Sequence, residues 1–133
     1  MKAHTLCTTM LAAILLVSAA GCQKKPGDAA ADVAKAQAQA QDSVAEAQRH
    51  AEAKIDAVRK DADASPADVA HAGATAQRDV TVAEAEAALR VARDRCETLT
   101  GDARDRCRTQ AKAEYELAKA RADSTKAHTD PKS

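Results

Sequence analysis

Val33, Val44 and Ile55 stand eleven residues apart, and Ala36, Ala40, Ala47, Ala51, Val58 and Ala62 fill the stripe between and beyond them in steps of 3, 4 and 4. Every position of this stripe is apolar. Eleven residues over three turns is about 3.67 per turn, which runs straight or slightly right-handed, unlike the left-handed coil of heptads. The pattern predicts a first helix over residues 28–64, with Asp28 as N-cap, where its charge suits the helix dipole. The stripe reads as a seam for another helix. The plainer alternative is an alanine-rich helix with weak self-association.

The same spacing returns in Val69, Val80 and Val91, with Ala72, Ala76, Ala83 and Ala87 between them. A second track, Val82, Ala85, Leu89, Ala92, Cys96 and Leu99, steps as a heptad seam does. Together they predict a second helix over 66–99. Ser65-Pro66-Ala67-Asp68 supplies its start: a capping Ser, Pro at the first helical position and an acid placed to reach back. Between the two helices the chain either turns or kinks, and the sequence leaves both open. Gly101 is expected in the left-handed conformation just past the second helix, and Asp102 as the N-cap of a third helix over 102–123. Cys107, Ala111, Tyr115, Ala118 and Ala122 share one face of it. Residues 124–133 are polar, hold Pro131 and are expected to be disordered. The fold class is therefore all-α: a helical hairpin or three-helix bundle of long alanine-rich helices.

Composition sharpens this picture. The chain has no Trp, no Phe, one Tyr, and 30% charged residues with 20 basic and 20 acidic side chains. Burying alanine removes little apolar area from water, at about 25 cal/mol per Å². The core is thin, and an enclosed pocket lined by large side chains is not expected. Near-neutral charge gives no case for nucleic-acid binding. The charge is uneven, acidic over 28–68 and basic over 90–121. These two stretches could attract each other across a fold-back, although solvated helix faces explain them as well.

Ahead of the helices, Met1-Lys2 precedes the apolar run from Leu11 to Cys22. A charged start, an apolar middle and a small-residue end are the layout of a secretory signal, and the run is too short to span a bilayer. Its ending, Ser18-Ala19-Ala20-Gly21-Cys22, resembles a bacterial lipobox, with Ala19 where Leu is commonest. The resemblance implies a signal peptide over 1–21 and a mature chain starting at Cys22, bearing a diacylglycerol on sulfur and a palmitate-type acyl chain on nitrogen. Cleavage after Ala20 by the ordinary signal peptidase, and an uncleaved anchor, are the competing readings. Residues 22–27 form a polar tether in which Pro26-Gly27 keeps helix away from the anchor, and Lys24 and Lys25 could meet anionic headgroups.

Cys96 and Cys107 are eleven apart. On one unbroken helix that is about 16 Å, beyond disulfide reach. If the chain turns at Gly101-Asp102, the two face each other across the neck of a hairpin. An exported chain lives where disulfides persist. With Cys7 removed and Cys22 acylated, these two are left to pair. Closing so short a loop stabilises by about 3 kcal/mol in the chain-entropy view.

Cys96, Leu99, Gly101, Asp102, Ala103 and Cys107, followed by Ala111, Lys112, Ala113 and Tyr115, form the pattern C-x-x-L-x-G-D-A-x-x-x-C then A-K-A-x-Y. It resembles the C-terminal element of small alanine-rich exported proteobacterial proteins, often labelled lipoproteins or TolA-like envelope proteins. The resemblance implies envelope location and no known reaction.

Other chemistry is sparse. C-x-x-C is absent, although Arg95, Arg106 and Arg108 around the pair keep a thiol-based redox sensor open as an alternative. Glu46 and His50 are one turn apart and could share a metal, but such a pair reads better as exposed surface. There is no phosphate loop and no nucleophile elbow. No enzyme activity, cofactor, metal or small-molecule substrate is expected. The expectation is a lipoprotein facing the periplasm with a structural or helix-mediated role, its partners the membrane and either another helical protein or itself. Gln23 after the acylated cysteine, in place of Asp, favours the outer membrane by analogy with enterobacterial sorting.

Overall fold

A computed structural model describes residues 26–132. The signal segment, Cys22 and most of the tether lie outside the described residues. Three helices follow one another: α1, Pro26–Lys60; α2, Pro66–Cys96; and α3, Gly101–Thr129. No strand occurs among the described residues.

The helices run antiparallel in sequence order. Lys54 on α1 bonds Asp79 on α2, while Ser43, nearer the start of α1, meets Arg90, nearer the end of α2. The α2–α3 pairs run the same way, from His71 with Asp130 to Glu97 with Arg108. α2 lies between its neighbours. It packs on both, and no Cα of α1 comes within 8 Å of one in α3. Ala87 and Cys96, both buried on α2, lie about half a turn apart around its axis at ~100° per residue. The protein is therefore a row of three helices sharing a central member. The acidic stretch over 28–68 and the basic one over 90–121 meet where the end of α2 packs on α1, with Arg90 donating to Ser43, and the ion pairs that cross between helices involve α2, Glu97 just past it or the segment beyond α3.

The eleven-residue stripe is the buried face of α1. Of its nine positions only Ala62, in the turn, is exposed. The matching stripe on α2, with Ala76 and Ala87 buried, is covered as well, and so is the second track as far as Cys96, whereas its last member, Leu99, lies past the end of α2 and is exposed. Almost all the fully buried residues are alanines, so the helices approach closely over a core only one small side chain deep.

The helix boundaries differ from the sequence reading in physically simple ways. α1 starts at Pro26, because Pro is tolerated at the first helical position, where no N–H partner is required. Between α1 and α2 the chain turns and does not kink. Asp61 N–H donates to Val58 O, Ala64 N–H to Asp61 O, and Asp63 N–H to the Asp61 carboxylate. Residues 124–129, expected in a disordered tail, extend α3, and Asp130 beyond them is buried.

Candidate functional site

The Cys96–Cys107 disulfide closes the α2–α3 turn, with the two Cα atoms 5.6 Å apart. Each cysteine sits on a covered track, Cys96 after Leu89 and Ala92, Cys107 one turn before buried Ala111. Cys96 is fully buried, whereas Cys107 is half-exposed. α2 ends by tightening: Thr98 N–H donates to Arg95 O and Leu99 N–H to Cys96 O, so its last carbonyls are satisfied without a glycine cap. This moves the role of Gly101. It is left-handed as expected, at φ 54°, but opens α3 instead of closing α2. Thr100 takes the N-cap position expected for Asp102, and its side chain makes no capping hydrogen bond. Asp102 lies in the first turn, where its charge answers the dipole.

Leu99, at the apex, is 40% exposed. Around it stand arginines. Arg108 donates from Nε and Nη2 to the Glu97 carboxylate, at 3.0 Å from Nε. Arg104 keeps its Nε buried with no hydrogen-bond partner. Arg93, Arg95 and Arg106 are exposed and form no ion pair with a described residue. The start of α1 comes to this same end, where Ala29, Asp32 and Lys35 line a shallow pocket with Asp94, Glu97 and Thr98.

The opposite end is built differently. Ser65 and Asp68 form a reciprocal capping box: Asp68 N–H donates to Ser65 Oγ at 3.2 Å, and Ser65 N–H returns to the Asp68 carboxylate at 2.9 Å. Lys132 Nζ also reaches Asp68. The lysine, with the Ser65 hydroxyl and N–H, holds the Asp68 carboxyl far below the usual carboxylate range. Three residues on, His71 Nδ1 lies 2.8 Å from Asp130 Oδ1, which also accepts from Lys132 N–H at 3.0 Å. That N–H, then His71, depress the Asp130 carboxyl. Sequence reasoning missed this clasp. His71 and Asp130 are 59 residues apart and obey no periodicity.

Midway, Arg78 bridges α2 to Asp123 on α3 at 2.8 Å, while its neighbour Asp79 takes Lys54 of α1 at 3.1 Å. Burial works against the Asp79 charge, but Lys54 and Arg78 outweigh it and hold its carboxyl below the usual value. An open groove of about 760 Å³ runs along α1 and α2 with α3 at its edge, lined by Gln37, Ala40, Val44, Ala88, Val91 and Ala92 among others. Arg95 and Glu114 are its charged lining residues. Glu46 and His50 are 4.0 Å apart, both more than two-thirds exposed. No cluster of three metal-ligating side chains occurs among the described residues, and none of their helices is long and apolar enough to cross a membrane. No family model, curated protein or solved structure matches the chain.

Proposed function

We propose that this chain is a lipid-anchored protein of the bacterial envelope, a helical spacer and interaction module facing the periplasm from the outer membrane. The supporting observation is where α1 begins. Its first turns share a pocket with the end of α2, at the disulfide-closed turn. Cys22 is only four residues before Pro26, a reach of about 14 Å at most. An acylated Cys22 therefore sets that end near the bilayer. The 35 residues of α1 carry the capped turn about 50 Å outward. The 760 Å³ groove offers a small-residue surface on which another helix, from a partner or a second copy, could lie. The likeness of the Cys96–Tyr115 pattern to exported alanine-rich lipoproteins agrees with this reading.

Mass spectrometry of the mature N-terminus, without and with thiol alkylation, tests it. The expected result is acyl mass on Cys22 with Cys96 and Cys107 refusing alkylation until reduced. A free N-terminus after Ala20 would defeat the anchor. The thiol-sensor alternative draws on the half-exposed Cys107, and it requires mild reductant to change oligomeric state or partner binding while helix content stays the same.

A further inference from the structure

We propose that Cys107 is a thiol-exchange site: a small zwitterionic thiol of the cysteine type enters the pocket between α2 and α3, bonds to Cys107 Sγ and displaces Cys96 as a buried free thiol. The inference rests on the thiol-sensor alternative, to which it gives a site and a ligand, and it needs nothing from an acylated Cys22. Three observations carry it. The two sulfurs of the cross-link are unequally covered: Cys96 is the largest fully buried side chain among the described residues, at 0% exposure, whereas Cys107 is half-exposed. Cys107 also lines an open pocket of about 460 Å³, with Ala92, Ala103, Arg106, Gln110 and Glu114 around it. That volume lies in the range of pockets that take small ligands. Ala103 and Ala111, one turn before and after Cys107, keep bulk away from it.

The third observation is the charge of the lining, one of each sign. Arg106 and Glu114 are exposed and form no ion pair with a described residue, and Glu114 accepts from Gln110 Nε2 at 2.9 Å. Outside the pocket the charges are close to balance, with five arginines between residues 93 and 108 against Asp94, Glu97, Asp102 and Asp105, and Asp28 and Asp32 at the start of α1. A purely anionic or purely cationic thiol therefore gains little, whereas a carboxylate and an ammonium on one small molecule meet both lining groups. The incoming thiolate attacks the sulfur it can reach. A bond forms from it to Cys107 Sγ, and the Cys96–Cys107 bond breaks. The electron pair leaves on Cys96, which takes up the proton that the incoming thiol gave up. One disulfide replaces another, so no further oxidant or reductant is consumed. The Arg108–Glu97 pair and the α2–α3 packing still hold the hairpin. Cys96 stays beside Cys107, so its return attack expels the ligand and restores the cross-link.

The test incubates the full mature chain with cysteine, quenches in acid, alkylates the denatured chain and maps both labels by tandem mass spectrometry. The expected mixed-disulfide fraction carries cysteine on Cys107 and the alkyl label on Cys96. Cysteine on Cys96, on both positions equally, or on neither until denaturant is present overturns the proposal. Single variants measure access directly, with cystine as the probe and circular dichroism as the check on helix content. Cys107 in Cys96→Ser should react at least about tenfold faster than Cys96 in Cys107→Ser, because a buried sulfur reacts only during opening. Equal rates in folded variants overturn it. Ala103→Leu, at an exposed lining position, should slow exchange several-fold in the folded chain and leave the rate in denaturant unchanged. An unchanged folded rate removes the pocket as the way in and overturns the proposal. Per thiolate, cysteine should exchange about two- to three-fold faster than mercaptoethanesulfonate or cysteamine, the size expected of exposed charges. A faster rate for either singly charged thiol overturns the ligand class. Adduct on Cys107 with no change in oligomeric state or partner binding upholds the exchange site and removes the sensor.

Discussion

The two turns of this protein solve the same problem with different chemistry. Both must reverse a long alanine-rich helix. The α1–α2 turn does so with non-covalent groups: an Asp61 side chain bonded to the turn backbone, a complete capping box, and a C-terminal segment that lays Lys132 on Asp68 and Asp130 on His71. The α2–α3 turn has no side-chain cap at the start of α3, an exposed Leu99 and arginines without an ionic partner among the described residues, and it is closed by a disulfide. A seam of alanines contributes little burial per residue. Each reversal therefore needs its own fastening, and the covalent one leaves its surface groups uncommitted.

Breaking the covalent fastening should cost most. Reduction, or Cys96→Ser with Cys107→Ser, should lower unfolding free energy by about 3 kcal/mol, read as a denaturant midpoint shift by circular dichroism. An unchanged midpoint would mean that the cross-link is not what holds this turn. Next in size is Gly101→Ala. The space around a new Cβ is open, but φ of 54° disfavours any side chain, so a loss of about 1–2 kcal/mol is expected from the backbone alone. At the other turn Ser65→Ala removes the cap and one support of Asp68, for about 1 kcal/mol. Both substitutions together should add, because opposite ends share no partner.

Acid separates the two ends more finely. Asp68 and Asp130 have carboxyls depressed in the folded protein. Their contribution is complete above the unfolded carboxylate value, near pH 4, and is lost as pH falls through the lower folded values. Melting followed from pH 6 to pH 2 should therefore hold to about pH 4 and then decline. Asp130→Asn should flatten that decline, and a C96S/C107S variant should keep it. The smallest effect should come from Lys54→Ala, within about 0.5 kcal/mol, because the Lys54–Asp79 pair is exposed to solvent.

Much of this architecture was readable from side-chain spacing. The Val33–Val44–Ile55 stripe marked the face that α1 buries, and the two tracks on α2 lie on faces that the structure covers, although their spacing alone did not place α2 between two neighbours. The cysteine pair was legible because a turn at Gly101-Asp102 brings the two positions together. Three features were not. Ser65-Pro66 permits either a turn or a kink, and the choice depends on what α1 packs against. Asp102 has the chemistry of an N-cap, but the tightened end of α2 passes that position to Thr100. The Asp130–His71 contact is tertiary and polar, and it also prolongs α3 through a stretch whose composition reads as a tail.

The row of helices leaves its two outer members unequally joined to the middle one. Both α1 and α3 pack on α2, but only α3 is also cross-linked to it, while α1 is connected through residues 61–65 alone. If all packing were lost, the disulfide would still hold the ends of α2 and α3 together, and α1 would have no such tie.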